Sequence, residues 1–71
     1  MNLGNELRRL RFENGDISQE ALADQVGVTR QTIHSIEKGK FIPSTLLALK
    51  IARFFKVPFE KAFYIIDEIR N

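Results

Sequence analysis

The sequence contains no cysteine and a single histidine, His34. Disulfides and thiolate metal sites are therefore excluded, and one imidazole cannot supply the several ligands that a metal site needs. No glycine-rich phosphate loop, nucleophile elbow or metal-ligand spacing occurs either. We therefore expect a protein that is not an enzyme and that holds no metal and no cofactor.

Long apolar runs are also lacking. No stretch approaches the roughly 18 to 20 apolar residues of a membrane span, and the first residues show no basic segment followed by an apolar one. We expect no membrane contact, no signal peptide and a cytoplasmic location.

The composition is that of one small globular domain. A chain of 71 residues with 44% apolar and 28% charged side chains predicts a single unit over residues 1–71. A domain of this size buries only about 60% of the surface that its unfolded chain exposes. Without disulfides or metals, its stability must come from efficient helix packing, which oligomerisation would assist.

Positive charge is concentrated in the middle of the chain. The net charge is only +2, but residues 30–61 contain seven Lys and Arg against two Glu, whereas both flanking segments are net acidic. A basic surface on a nearly neutral domain favours a polyanionic partner, although a solvated surface of mixed charge remains open.

Helical spacing and end signals predict three helices in the first half. Leucines at helical spacing predict the first helix from Leu3 to Glu13, with a stop at the Asn-Gly that follows. A serine and a threonine can cap the next two, which we place at Gln19–Val26 and Arg30–Lys38.

The second half is the more apolar. A fourth helix is predicted from Thr45 to Phe55 or Lys56, and a short fifth from Pro58 to Ala62. Phe63–Ile66 is aromatic and β-branched, which favours a strand. A lone strand on a helical domain leaves an unpaired edge, so we expect it to pair with its copy in a dimer.

Helices two and three have the form of a helix-turn-helix over residues 18–38. Small Ala23 suits the point where the two helices cross, Gly27 suits the turn, and Ile33 faces inward. The outward face of helix three then carries only hydrogen-bonding side chains, namely Arg30, Gln31, His34, Ser35 and Lys38. Folding alone does not require that composition.

The segment SQEALADQVGVTRQTIHSIEKGK (residues 18–40) resembles the Cro/CI-type (Xre-like) helix-turn-helix regulators. The LRRLR of residues 7–11 and the later residues 43–52 extend the match over about residues 3–60. The resemblance implies an all-α, five-helix lambda-repressor-like DNA-binding domain. In length and apolar tail the chain is also similar to the small dimeric cytolysin-operon repressor type, which has a β-extension after its helices.

The resemblance implies that helix three lies in the major groove of double-stranded DNA. Gln31 would then pair with adenine, Arg30 with guanine or a phosphate, and Gln19 with a phosphate at the start of helix two. The full set of implied DNA-binding residues is Gln19, Thr29, Arg30, Gln31, His34, Ser35, Lys38 and Lys40. The family pattern also implies that Glu37 bonds to Arg11. Solvated roles for Gln31 and the two lysines remain open, and Arg8 and Arg9 are expected to be solvated.

Apolar residues stand at helix-four positions that are often polar in the family, which indicates an exposed patch and an interface. The expected dimer interface, centred on a C-terminal extension at about residues 58–71, comprises Leu46, Phe54, Phe59, Phe63, Tyr64, Ile65 and Ile66.

Two functions from different classes follow. The first is a sequence-specific transcriptional regulator, a homodimeric repressor that binds an inverted-repeat operator and that a protein partner could regulate. The second is an antitoxin-like or anti-repressor interaction module in which DNA binding is secondary.

Overall fold

Five helices and two short strands make up the fold in the computed structural model, which describes residues 1–67. In chain order they are β1 (Asn2–Asn5), α1 (Leu7–Glu13), α2 (Gln19–Val26), α3 (Arg30–Glu37), α4 (Thr45–Phe55), α5 (Phe59–Ala62) and β2 (Phe63–Ile66). The last four residues of the expected 58–71 extension lie outside the described part of the chain.

Hydroxyl side chains set the starts of the three helices that carry the site and its support. Each accepts a hydrogen bond from the backbone N–H three residues later, at 2.9, 3.2 and 3.1 Å for Ser18, Thr29 and Ser44. These bonds satisfy amides that would otherwise lack a partner at a helix start. The predicted starts of α2, α3 and α4 are confirmed, while α3 ends and α5 begins one residue inside the predicted bounds.

The two strands form one antiparallel pair, in which Leu3 lies opposite Ile65 and Gly4 opposite Tyr64. Two predictions are therefore wrong: Leu3 belongs to a strand and not to the first helix, and β2 has its partner in its own chain. The glycine explains the close pairing, because a Cβ at Gly4 would lie 2.7 Å from Cζ of the Tyr64 ring. The aromatic ring thus covers a backbone position without a side chain, as in aromatic rescue of a glycine.

Within residues 1–67, fourteen buried apolar residues form one core cluster, to which β2 and each of the helices contribute. They are Leu7, Leu10, Leu22, Ala23, Val26, Ile33, Ile36, Leu47, Ala48, Ile51, Ala52, Phe55, Ala62 and Phe63. Ala23, only 1% exposed, is the small residue expected between α2 and α3. No helix within residues 1–67 is both long and apolar enough to cross a bilayer.

Candidate nucleic-acid interface

The turn between α2 and α3 fixes the angle at which α3 leaves the core. Gly27 has a φ of +79°, in the left-handed region that a side chain disfavours. The N–H groups of Gly27 and Val28 both donate to the carbonyl of Ala23, at 2.9 and 3.0 Å. With Ile33 and Ile36 buried on its inner side, α3 is held with its opposite side toward solvent.

The outward side of α3 is polar, as the sequence indicated. Arg30, Gln31 and Lys38 are exposed, while His34 and Ser35 are half-buried. The side-chain amide of Gln31 lies 3.4 Å from Oγ of Ser35, longer than a good hydrogen bond, so this contact restrains the amide weakly. The structure therefore brings these five predicted residues together on one helix face.

A nearly buried ion pair ties α1 to the end of α3. Nε and Nη2 of Arg11 donate to the two carboxylate oxygens of Glu37, at 2.8 and 3.0 Å, and the two side chains are only 15% and 10% exposed. Nη1 of Arg11 also donates to the carbonyl of Ile17, at 2.9 Å. The hydrogen bonds to Glu37 raise the pKa of Arg11 above its usual value, against the opposing effect of burial. The structural role expected for Glu37 is confirmed.

Gln19 joins the same network. Its side-chain amide donates to Oε1 of Glu37 at 3.0 Å, so the first residue of α2 is tied to the last residue of α3. This bond engages one of the two N–H donors of the amide. The hydroxyl of Thr29 also has partners within the protein. Its Oγ1 caps α3 and lies 3.0 Å from Oγ1 of Thr32. DNA contacts by Gln19 and Thr29 stay predictions.

Two grooves flank α3 and contain residues that the sequence did not single out for DNA binding. One is lined by Asn5, Glu6, Arg8, Arg9, Arg11, Gln19, His34, Glu37 and Lys38, which places the α1 arginines beside α3. The other is lined by Thr29, Gln31, Thr32, Ser35, Lys40 and Phe41. Lys40 and Phe41 therefore lie beside the polar face of α3, at its far edge. The sequence signal for Phe41 was its position, because it is an aromatic residue directly after Lys40.

The residues expected at a dimer interface do not form one patch. Phe59, Tyr64 and Ile65, which are 38%, 41% and 61% exposed, line an apolar groove with Leu3 and Phe63. Ile66 and Leu46 are also exposed, at 42% and 65%.

Two of the expected interface residues are placed differently. The expectation that Phe63 is exposed was wrong: it is 1% exposed, and its ring stacks on Phe59 with centroids 5.6 Å apart. Phe54 is half-buried against the core and lines a separate groove with Asp24 and Lys50.

Comparison with known proteins agrees with this architecture. The family described as helix-turn-helix matches residues 7–61. YgzD of Bacillus subtilis, an HTH-type transcriptional regulator, is 48% identical over 64 residues, which are 90% of this chain and 96% of the relative. Control protein C.MunI of Mycoplasma is 35% identical over 65 residues, 92% of this chain and 88% of the relative.

A solved structure shares the fold. The crystal structure of the restriction-modification controller protein C.AhdI from Aeromonas hydrophila matches with a TM-score of 0.70 and 33% identity, over 78% of this chain and 82% of that one. The expected five-helix lambda-repressor-like domain is confirmed, with a two-stranded antiparallel sheet added. The chain belongs to the Cro/CI-type (Xre) helix-turn-helix family, whose members are DNA-binding transcriptional regulators and not enzymes.

Proposed function

We propose that the protein is a homodimeric repressor that binds an inverted-repeat operator through α3 in the major groove. The observation that carries this proposal is the polar outward face of α3, held in place by the bonds among Arg11, Gln19 and Glu37. A helix fixed in this way presents its side chains at constant positions, which base readout requires. Repression would follow from occupation of the promoter. A regulator of this kind acts in the compartment that contains the DNA. In a cell without a nucleus that compartment is the cytoplasm, as the sequence analysis expects.

Individual roles follow from the chemistry of each side chain. Gln31 would donate to and accept from an adenine edge, and Arg30 would donate to guanine or to a phosphate. Lys38 and Lys40 are exposed at the end of α3 and would pair with backbone phosphates, which position the protein without reading sequence. His34, Ser35, Thr29 and Gln19 complete the proposed contact surface.

The dimer is proposed on the apolar surface formed by Phe59, Tyr64 and Ile65 with the edge of β1. Exposed apolar side chains clustered on so small a domain are typical of an interface. A two-fold dimer would place two copies of α3 about 34 Å apart, in successive major grooves. Likeness to the small dimeric cytolysin-operon repressor type is part of this proposal.

Selection from a random duplex library at about 0.15 M salt, a physiological ionic strength, tests the operator proposal directly. We expect the pure protein to enrich an inverted repeat with half-sites about 10 bp apart. Retention without enrichment, removed by salt, would instead indicate a non-specific basic surface.

Paired variants separate base reading from phosphate binding on the selected operator. Gln31→Ala should weaken operator binding by about 1–3 kcal/mol and leave binding to random DNA nearly unchanged. Lys40→Ala should weaken both equally and reduce the salt slope by about one unit. Gln25→Ala and Lys61→Ala, at exposed positions on α2 and α5, are the matched controls. Equal effects of Gln31→Ala on both DNAs would contradict a base contact.

The interaction module is the second candidate, and exposed leucines on α4 favour it. Leu46 and Leu49 are 65% and 49% exposed, on a helix that the proposed DNA contacts do not use. If neither Gln31→Ala nor Lys40→Ala affected binding to any DNA, while Leu46→Glu abolished a protein complex, this second function would replace the first.

A further inference from the structure

Phe41 is an aromatic side chain in a groove where every other lining residue is polar. It is 48% exposed and shares the groove with Thr29, Gln31, Thr32, Ser35 and Lys40. Burial of an aromatic residue stabilises a fold, and about half of the surface of Phe41 remains exposed, so folding does not account for its full size. A partner that covers the groove would gain the unburied half.

The position of Phe41 relative to α3 is fixed by a Schellman motif at the helix end. The N–H of Lys40 donates to the carbonyl of Ser35 at 2.9 Å, and the N–H of Gly39 donates to the carbonyl of Ile36 at 3.0 Å. Gly39 has a φ of +76°, which turns the chain back along the helix. The loop after α3 therefore places Phe41 beside the second turn of α3, where Ser35 lies.

Charge around the groove indicates which partner covers it. Lys40 lines the groove directly, Arg30 and Lys38 stand exposed on the adjoining helix, and none of the residues that line the groove is acidic. A polyanion fits this surface, and the groove is continuous with the face that the proposed function places on DNA. In the major groove, the C5-methyl of thymine is the apolar group that a Phe side chain contacts.

We propose that Phe41 determines specificity by packing against the C5-methyl group of a thymine next to the base pair that Gln31 contacts. Gln31 and Phe41 line one groove, so the two side chains would address neighbouring bases of the same half-site. The inference rests on the proposed operator binding and adds one apolar contact to a surface of hydrogen-bonding groups.

Uracil substitution tests the contact, because uracil differs from thymine only by the missing methyl group. On the selected operator, each thymine is replaced singly by uracil and affinity is measured by titration. We expect one position in each half-site where the change weakens binding about fourfold. This factor corresponds to the free energy of burying one methyl group. Phe41→Ala should weaken binding to the thymine operator by at least that factor and bind thymine and uracil DNA equally well.

Control variants separate this contact from general effects. Phe12→Ala removes an aromatic ring that is 70% exposed on α1 and outside the groove, so it should keep the thymine preference. Phe41→Leu keeps an apolar side chain and should retain part of the preference.

Three results with the Phe41→Ala variant would overturn the proposal. The variant could leave affinity for the operator unchanged. It could weaken binding to thymine DNA and to uracil DNA by the same factor, as the loss of a sugar contact would. It could also convert the dimer to monomers, which would place Phe41 between two copies of the chain. An operator bound with no thymine-specific position would overturn this inference and leave the proposed function standing. Failure to select any operator would overturn both.

Discussion

The α2–α3 unit and the α5–β2 end of the molecule share one apolar core and differ in what they present to solvent. Outside the core, α3 carries Arg30, Gln31 and Lys38, whereas β2 carries three exposed apolar side chains, Tyr64, Ile65 and Ile66. A polar, cationic face gains from a polyanion, and an apolar face gains from another apolar surface. One small domain therefore presents two separate surfaces of different chemistry.

The two regions are also stabilised differently. The bidentate ion pair of Arg11 with Glu37 fixes the end of α3, and the amide of Gln19 ties the start of α2 to the same carboxylate. The strength of both interactions depends on the distances and angles between donor and acceptor. At the other end, stacked rings of Phe59 and Phe63 and the cover of Tyr64 over Gly4 depend on packing. Polar fixation suits the base-contacting role proposed for α3, and apolar packing leaves the exposed surface on which the dimer is proposed.

The largest expected effect separates two positions on β2, one inside the core and one at its edge. Phe63→Ala removes a buried ring and should lower the free energy of unfolding by about 3–5 kcal/mol, a large share of what so small a domain has. Ile65→Ala, two positions along on the same strand, removes a side chain that is 61% exposed. It should change the unfolding free energy of the monomer by less than about 0.5 kcal/mol and weaken the proposed dimer instead.

Urea unfolding at low protein concentration measures the first quantity, and sedimentation equilibrium measures the second. If Ile65→Ala destabilised the monomer as strongly as Phe63→Ala, both side chains would belong to the core. If dimer mass were unchanged in Ile65→Ala and in Ile65→Asp, the dimer proposal for this surface would be wrong. Deletion of the strand is not a usable test, because it would also remove Phe63 from the core.

A smaller effect is expected from the polar side of the comparison. Arg11→Met leaves Glu37 mostly buried without its main partner and should lower the unfolding free energy by about 3 kcal/mol. Arg9→Met, on the same helix, breaks a pair with Glu6 in which Arg9 is 57% exposed, and should cost less than about 1 kcal/mol.

Salt distinguishes these two ion pairs further. In about 1 M salt the Debye length falls to about 3 Å, so the effect of Arg9→Met should vanish and most of the Arg11→Met effect should remain. Comparable losses for both variants in urea unfolding, or equal sensitivity to salt, would show that the Arg11 pair does not fix α3 in the way described. Operator affinity should fall with Arg11→Met more than its stability loss explains, because α3 would no longer be held.

The α2–α3 unit could be predicted from the sequence because the residues that determine it are close together in the chain. Thr29 caps the helix that begins one residue later, and Gly27 turns the chain between neighbouring helices. The pairing of β1 with β2 joins residues about 60 positions apart, and no local signal reports that distance. Leu3 fits the helical spacing of later leucines equally well, so the pattern alone assigned it to the wrong element.

The sequence also did not predict which side chains of β2 are buried, for a different reason. A strand with one buried face is recognised by alternation of apolar and polar residues, and Phe63–Ile66 is apolar or aromatic throughout. Phe63 and Ile65 lie on the same side of β2, so the burial of Phe63 and the exposure of Ile65 depend on how far the core extends along the strand from α5. The same limit applies to Phe41, whose place beside α3 is set by the backbone bonds of the loop.

The smallest expected effect concerns the link between the two regions. Burial raises the pKa of Tyr64 above its usual value, the carboxylate of Glu6 raises it further by its charge and by a hydrogen bond, and Arg9 lowers it. Because folding favours the neutral phenol, this stabilisation is complete below about pH 10, the ordinary tyrosine pKa, and is lost as pH rises through the raised value. Tyr64→Phe should remove that alkaline component.

Tyr64 is the single tyrosine of the chain, so the ultraviolet absorbance of tyrosinate reports its titration directly. Glu6→Gln should move the pKa of Tyr64 down toward its ordinary value, and Arg9→Met should move it up, since one variant removes a raising charge and the other a lowering one. Shifts of the same sign in both variants would contradict an electrostatic link from β2 through Glu6 to α1. Opposite shifts would establish it.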